Sequence, residues 1–215
     1  MLNKSEREQI IALINREVVP AIGCTEPIAV ALCVAKATET LGCRPEKIQA
    51  LLSANILKNA MGVGIPGTGM IGLPIAIALG ALIGKSEYQL EVLKDSTPEA
   101  VEEGKKLIDS QAINIGLKYG IEEKLYIEII CEAEGKKATA IISGGHTNFV
   151  YVAKDEEVLV NKQSNASNEA ATEDVELTLR KVYDFATTSP IEELRFILET
   201  RNLNKNAAER SFKGN

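Results

Sequence analysis

The chain has 215 residues, a formal net charge of −6 and a hydrophobic fraction of 45%. This length can bury a full core as one large domain or two small ones. Lys and Arg form no basic cluster of the kind that neutralises phosphates, so we expect no nucleic-acid partner. The N-terminus, MLNKSEREQ, is hydrophilic and has no apolar signal core, which predicts a cytoplasmic protein.

The first predicted element is a scaffold helix. Ser5 and Glu8 have the spacing of a capping box, and an apolar face continues to about Val19. A second helix, rich in Ala, runs from residue 28 to about residue 41. Alternating apolar residues at 48–52 then predict a short strand that leads into a glycine-rich stretch.

The turn before the second helix contains a cysteine. Thr25 is the predicted N-cap and Pro27 lies in the first turn, so Cys24 lies just outside the helix N-terminus. The helix dipole and free N–H groups there favour a thiolate, the form that attacks electrophiles or binds a metal. The alternative is a buried turn cysteine without such a role. The cysteine spacings fit neither a zinc site nor a small disulfide scaffold, and Cys33 and Cys131 are predicted to be buried thiols.

The most unusual stretch is residues 53–84. It has no charge from Asn59 to Gly84, and glycines recur at positions 62, 64, 67, 69 and 72. Such a run could be a membrane span, but the glycines indicate a loop, and the apolar helix after it, residues 73–83, is too short to cross a bilayer. Pro74 fits the first turn of this helix, whose N-terminus would point back at the loop. The arrangement predicts a cradle for a carboxylate or phosphate; a glycine-rich turn packed closely without a ligand is the alternative.

Residues 111–160 predict an antiparallel sheet with a hairpin turn at Glu134-Gly135. The fold class is therefore α+β, with Ala/Gly-rich helices packed against the sheet and a closing C-terminal helix pair. His146, the only histidine in the chain, lies in the sequence GGHTN at a strand junction. A lone histidine in a turn is commonly structural, yet the neighbouring glycines and polar side chains favour a function. Period-two alternation marks the strands at 113–115, 125–134, 138–143 and 149–152.

These patterns divide the chain into segments. The predicted helix pair has one helix at 175–186 and another that begins after Ser189-Pro190 and ends near residue 200. The segments are a helical part (1–110), the sheet (111–160), a polar linker (161–174), the helix pair (175–203) and a polar tail (204–215).

Ordered motifs along most of the chain resemble one family. The motifs are GCTEP at 23–27, SANILKN at 53–59, GTGMIGLP at 67–74 and GGHTN at 144–148. Together they resemble the iron–sulfur L-cysteine desulfidases, a family related to the iron–sulfur L-serine dehydratases. The resemblance runs from residue 10 to about residue 203, and it covers only the N-terminal half of that family.

The resemblance implies a lyase of amino-acid catabolism that works without pyridoxal phosphate. Such an enzyme removes sulfide from L-cysteine or water from L-serine and leaves pyruvate and ammonia. A [4Fe-4S] cluster with one open iron as Lewis acid is implied, with Cys24 as one ligand. Cys33, Cys43 and Cys131 do not match the motifs of the remaining ligands. Those ligands are expected in a second half, in cis or as a separate subunit.

The resemblance and the residue types together suggest roles within this chain. Lys58 and His146 are the candidates for proton transfer, because each can titrate. The backbone of residues 67–69 and the side chain of Asn55 would hold the substrate carboxylate. The expected substrate-binding residues are Ser53, Asn55, Asn59, Gly67, Thr68, Gly69, Thr147 and Asn148.

We expect a small amino-acid substrate, a homo-oligomer, and no membrane partner. The alternative function is a non-catalytic domain that binds a carboxylate or another anion and keeps the glycine cradle without the cluster.

Overall fold

The computed structural model describes residues 2–162 and 175–213. Contacts divide the chain into two units, Pro20–Glu169 and a terminal unit formed by Met1–Val19 with Ala170–Asn215. The class is α+β, as predicted. Most of the predicted linker, residues 163–174, lies outside the described residues. Among the helices that are described, none is long and apolar enough to cross a bilayer.

The described residues form seven α-helices and eight strands. The helices are α1 (Lys4–Glu17), α2 (Thr25–Leu41), α3 (Ala54–Ala60), α4 (Leu73–Leu82), α5 (Pro98–Asp109), α6 (Leu179–Thr188) and α7 (Ile197–Phe212). The strands are β1 (Lys47–Leu52), β2 (Gly64–Ile65), β3 (Met70–Ile71), β4 (Ile113–Leu117), β5 (Tyr126–Ala133), β6 (Lys136–Ser143), β7 (Phe149–Lys154) and β8 (Glu157–Asn161). Short 3₁₀ segments lie at Ser86–Glu91 and Ile191–Leu194.

The main sheet has the strand order β4-β1-β5-β6-β7-β8. All neighbours pair antiparallel except β1 and β4, which are parallel. The predicted antiparallel sheet is confirmed for β5 to β8, whereas the predicted strand at 113–115 pairs parallel with β1 at one edge. The parallel pair arises because α3, α4 and α5 form the long crossover that such a connection needs. The predicted hairpin turn is confirmed, since Glu134 and Gly135 have φ of +53° and +72°, as in a type I′ turn.

The core is built around α2 and α4. Most residues of both helices are buried. Their many Ala and Gly residues are small, so neighbouring elements can approach the helices closely. A Cβ on Gly80 would lie 2.6 Å from the carbonyl oxygen of Ala31, so α4 can pack on α2 only with glycine there. The predicted apolar helix at 73–83 and the predicted buried thiols Cys33 and Cys131 are confirmed.

Helix α2 lies across β5 and β6 and runs in the direction of β5. The Sγ of Cys33 lies 3.3 Å from the Ala140 carbonyl oxygen and 3.9 Å from that of Ile127, near the start of β5. More than one helical turn further along α2, Thr38 contacts Cys131, which lies toward the end of β5. Cys24 precedes Cys33 by about 14 Å of helix rise. The N-terminus of α2 therefore extends beyond the end of the sheet at which β5 begins.

The glycine-rich loop is a short β-hairpin made of β2 and β3. Thr68 N donates to the Ile65 carbonyl oxygen at 3.2 Å, with Pro66 and Gly67 between them and a φ of +77° at Gly67. This is the pattern of a type II turn, in which Pro is favoured at the second position and Gly at the third. The hairpin leads directly to Gly72, the N-cap of α4.

Several predicted boundaries differ from the structure. The capping box of α1 is formed by Asn3 and Glu6, two residues before the predicted pair Ser5 and Glu8. Thr25 is the first residue of α2 and not its N-cap. Strand β8 was not predicted. Helix α7 continues through the polar tail segment to Phe212, because nothing in that polar sequence breaks a helix.

The terminal unit consists of α1, α6, the 3₁₀ segment at Ile191–Leu194 and α7. Ile10 of α1 and Phe185 of α6 are the buried apolar side chains among its described residues. The Arg7 guanidinium binds the Glu193 carboxylate with both oxygens, at 2.8 and 3.1 Å. This bidentate ion pair joins segments separated by 186 residues.

Candidate functional site

The sequence motifs that carry polar residues converge at one end of the main sheet. Ser53 follows β1, and its N–H donates to the Tyr126 carbonyl oxygen at the start of β5 (3.0 Å). Gly144 follows β6, and its N–H donates to the Leu125 carbonyl oxygen (3.1 Å). The same end of the sheet therefore carries the SANILKN motif, the GGHTN motif and the N-terminus of α2.

The turn before α2 also touches the glycine hairpin. Gly23 has a φ of +80°, and a Cβ on it would lie 2.8 Å from Cγ of Pro66. Only glycine allows both this backbone conformation and this approach. The contact places the GCTEP turn against the tip of the hairpin.

Glu26 is the centre of a side-chain network at the start of α2. One carboxylate oxygen, Oε2, accepts from Cys24 Sγ at 3.0 Å and from Thr25 Oγ1 at 3.2 Å. The other, Oε1, accepts from Asn59 Nδ2 of α3 at 3.3 Å. The network ties α3 to the N-terminus of α2 and fixes the orientation of the cysteine. Sequence reasoning assigned Glu26 no role, although its place in the first turn of a helix, beside a cysteine, was a signal that it would face the thiol.

The predicted thiolate at Cys24 is not supported by its surroundings. Partial burial, followed by the hydrogen bond to Glu26, raises the pKa of the Cys24 thiol above its ordinary value. The N–H groups of Glu26 and Thr25 act in the opposite direction, as the helix N-terminus was expected to, but they are outweighed. The hydrogen bond from Cys24 lowers the pKa of Glu26. Cys24 is therefore a thiol that donates to a carboxylate.

Helix α3 presents a polar face next to this network. Asn55, Lys58 and Asn59 are spaced i, i+3 and i+4, so they share one side of the helix, while Ile56 and Ala60 face the core. Asn59 contacts Glu26, and this contact turns the shared face toward the N-terminus of α2. Asn55 and Lys58 are exposed to solvent. The structure thus brings three of the predicted site residues together beside Cys24.

Ser53 has a structural role in this arrangement. It is the buried polar side chain among the described residues and caps α3 by accepting from Ile56 N. Its hydroxyl donates to the Lys124 carbonyl oxygen at 2.7 Å. The hydroxyl proton is thus committed to the protein's own backbone.

The glycine hairpin is closed by the side chain of Thr68. Its hydroxyl donates to the Ile65 carbonyl oxygen at 2.7 Å and accepts from Met70 N at 3.0 Å. Gly67 and Gly69 are exposed, have left-handed φ, and have open space where a Cβ would project. What the hairpin offers to a ligand is therefore the backbone of Gly67 and Gly69, with the threonine hydroxyl facing inward.

The GGHTN motif forms the loop between β6 and β7, as predicted. Asn148 holds the loop: its Nδ2 donates to the Ser143 carbonyl oxygen at 2.9 Å, and its Oδ1 accepts from Lys162 at 3.2 Å. His146 and Thr147 are half-buried in the same loop. The loop lies at the sheet edge shared with α3, while no described hydrogen bond joins His146 to the Glu26 network.

The four cysteines lie too far apart to hold one cluster together. Cys33 and Cys131 are enclosed in the core, where burial raises the pKa of each thiol, that of Cys131 to about 12. Cys43 follows the far end of α2, about 25 Å from Cys24 along a helix of 17 residues. A [4Fe-4S] cluster takes three or four cysteines. The described residues therefore fit one corner of a cluster, at Cys24, and not a whole one.

Two surface cavities of the Pro20–Glu169 unit lie away from this site. One of about 300 Å³ is lined by Glu46, Glu132 and the hairpin turn at Glu134-Gly135, at the opposite end of β5. The second, of about 310 Å³, adjoins it along β1. Both are shallow, and neither touches any predicted site residue.

The chain is similar to proteins named UPF0597 protein, a name that states no activity. It is 80% identical over 215 residues to one from Phocaeicola vulgatus, 77% over 213 residues to one from Bacteroides fragilis and 40% over 214 residues to one from Aeromonas hydrophila. These matches cover 98 to 100% of this chain but only 48 to 50% of each relative, so the chain spans about half the length of the curated relatives it matches. No family model matches the chain, and no solved structure matches it.

Proposed function

We propose that this chain carries the Cys24 side of the active site of an iron–sulfur lyase that acts on L-cysteine or L-serine. The observation that supports the proposal most directly is the position of Cys24. It is the N-cap of α2, has the extended backbone of an N-cap, and makes no side-chain cap hydrogen bond. Ser, Thr, Asp or Asn would stabilise the helix there. A residue that forgoes local stability at a converged polar site is typical of function.

In this proposal Cys24 is one ligand of a [4Fe-4S] cluster, and the remaining ligands come from outside the described residues. The open iron of such a cluster supplies a Lewis acid for the elimination. In the structure the Cys24 thiol donates to the Glu26 carboxylate at 3.0 Å, and on binding iron as a thiolate it would give up this proton and the hydrogen bond. The resemblance to the L-cysteine desulfidases, carried by GCTEP and the other motifs, supports the same assignment.

The chain's own residues would bind and orient the amino acid. The backbone of Gly67 and Gly69 and the amide of Asn55 would hold its carboxylate. Lys58 or His146 would take the α-proton, and the electron pair of the broken C–H bond would form the double bond as the β-substituent leaves as hydrosulfide or, with a proton, as water. The released aminoacrylate tautomerises to an imine, and water hydrolyses the imine to pyruvate and ammonia. Lys58 is the better placed of the two bases, because it shares a helix face with Asn59 at the Glu26 network.

A chimera tests the proposal, with the 215 residues replacing the matched half of the Phocaeicola vulgatus relative. After anaerobic iron–sulfur reconstitution we expect a brown protein that forms pyruvate from L-cysteine or L-serine, whereas the 215-residue chain alone stays colourless and inactive. Cys24→Ser should abolish colour and turnover, and the matched control Cys43→Ser should keep both. Full iron retention in Cys24→Ser would contradict the ligand assignment.

A carboxylate-binding domain without a cluster is the second candidate. It is supported by Gly67 and Gly69, which are exposed, have left-handed φ and follow Pro66, the residue that meets Gly23 of the GCTEP turn. If it is correct, the reconstituted chimera stays colourless, yet calorimetry detects a small carboxylate binding to it. Gly67→Val should then weaken that binding. The control Tyr119→Val, at an exposed position, should leave it unchanged.

A further inference from the structure

The terminal unit leaves many large apolar side chains in contact with solvent. Among its described residues only Ile10 and Phe185 are buried. On α6, Leu179 is 91% exposed, Val182 49% and Tyr183 63%. The rest of the unit exposes further large apolar side chains, at Ile191, Leu198 and Phe212.

The exposed residues of α6 form one continuous face, which we call the α6 stripe: Leu179, Val182 and Tyr183. Their spacing of i, i+3 and i+4 places them on the same side of the helix. Arg180 and Asp184 form an ion pair elsewhere on the helix surface. Helix α6 is therefore amphipathic, with an apolar face that meets water in this chain. A stripe of this kind on an otherwise polar helix marks an interaction surface.

The relatives indicate what covers this stripe. They are about twice as long as this chain, and the matched region accounts for nearly all of it. Both ends of the chain, Met1–Val19 and Ala170–Asn215, lie in the terminal unit. Whichever end the additional half of a relative is joined to, it is joined to this unit. A covalently tethered domain reaches a surface beside its own linker at high effective concentration.

We infer that the α6 stripe is the docking surface for a segment that corresponds to the additional half of the relatives, which would contribute an apolar face of its own. The interface would supply the buried apolar area that the terminal unit lacks. Because a small unit gains stability mainly from such burial, docking should make local unfolding of α6 less frequent in the chimera than in this chain alone. The inference does not depend on a cluster or on lyase activity, since either candidate function leaves the stripe to be covered.

The test compares the 215-residue chain with the Phocaeicola vulgatus chimera described above, using Leu179→Glu. In the chain alone we expect the melting temperature to stay within about 1 °C of the parent, because Leu179 is the first residue of α6, where a carboxylate is tolerated or favoured. In the chimera the same change should lower it by about 5 °C or more, since a charge then enters a buried interface. Amides of α6 should exchange with deuterium at least tenfold more slowly in the parent chimera than in the chain alone.

Tyr119→Glu is the matched control, because Tyr119 is 82% exposed but lies in the other unit. It should leave the melting temperature of both proteins unchanged. The inference is overturned if Leu179→Glu is silent in both proteins, or if α6 exchanges equally fast in both. It is also overturned if the 215-residue chain sediments as a dimer that Leu179→Glu dissociates, because a second copy would then be the occupant. None of these measurements depends on pyruvate formation, so docking and the proposed function can fail separately.

Discussion

Changing Cys24 or Cys33 to serine is expected to affect the free energy of unfolding in opposite directions. Cys24 is a half-buried N-cap, whereas Cys33 is enclosed in the core with its Sγ 3.3 Å from the Ala140 carbonyl oxygen. We expect Cys24→Ser to leave the unfolding free energy unchanged or to raise it by up to about 1 kcal/mol, because serine is the better N-cap. Cys33→Ser should lower it by about 1 to 3 kcal/mol, because a more polar group is buried. Urea titrations of both variants check this, and a large loss in Cys24→Ser would give Cys24 a structural role.

Glu26 should control the reactivity of Cys24. The carboxylate accepts the thiol hydrogen bond and repels the thiolate, and both effects raise the pKa of Cys24. Glu26→Gln removes the charge, so the pKa of Cys24 should fall and its alkylation by iodoacetamide at about pH 7 to 8 should become several-fold faster. Peptide mass spectrometry gives the rate, with half-buried Cys43 as the internal reference. An unchanged ratio of the Cys24 and Cys43 rates would contradict the network.

At the level of elements, the glycine hairpin allows a comparison of two positive-φ positions. Gly72 has a φ of +86°, and a Cβ on it would lie 2.6 Å from the Met61 carbonyl oxygen. Gly67 has a φ of +77° but open space around it. Gly67→Ala should cost about 1 to 2 kcal/mol from backbone strain alone. Gly72→Ala should cost clearly more, because a backbone clash adds to the strain. Equal midpoints in urea would show that the hairpin shifts freely.

The elements were predictable where local chemistry decides them. Thr97 is the N-cap of α5 and Pro98 its first residue, the residue types that favour a helix start. The parallel pairing of β4 with β1 was not predictable from local pattern, since strand direction depends on the crossover and not on alternation. At the site, the motifs mark segments that meet at one end of the sheet, but they did not predict the Glu26 network that joins α3 to the start of α2. The raised pKa of Cys24 could not be predicted, because it depends on where the Glu26 side chain points.

For the whole molecule, the ion pair between Arg7 and Glu193 is expected to hold the terminal unit together. Arg7 lowers the pKa of Glu193, so the pair contributes at pH values above the ordinary carboxyl pKa of about 4.3 and is lost as pH falls through the lowered pKa of Glu193. Glu193→Gln should increase deuterium exchange in α1 at neutral pH and remove this acid dependence. Glu192→Gln is the control, because Glu192 pairs locally with Arg195. Equal effects of the two variants would rule out a special role for the pair.

The separation of Arg7 and Glu193 by 186 residues also matters during synthesis on the ribosome. Translation proceeds at about 5 to 20 residues per second, so α1 waits roughly 10 to 40 s after it is made before Glu193 exists. The sheet and its helices, from Pro20 to Glu169, can assemble during that interval, because all their strands are already present. Helix α1 therefore leaves the ribosome well before the segment that carries its ion-pair partner, and the Arg7 guanidinium stays without that partner until the segment has been made.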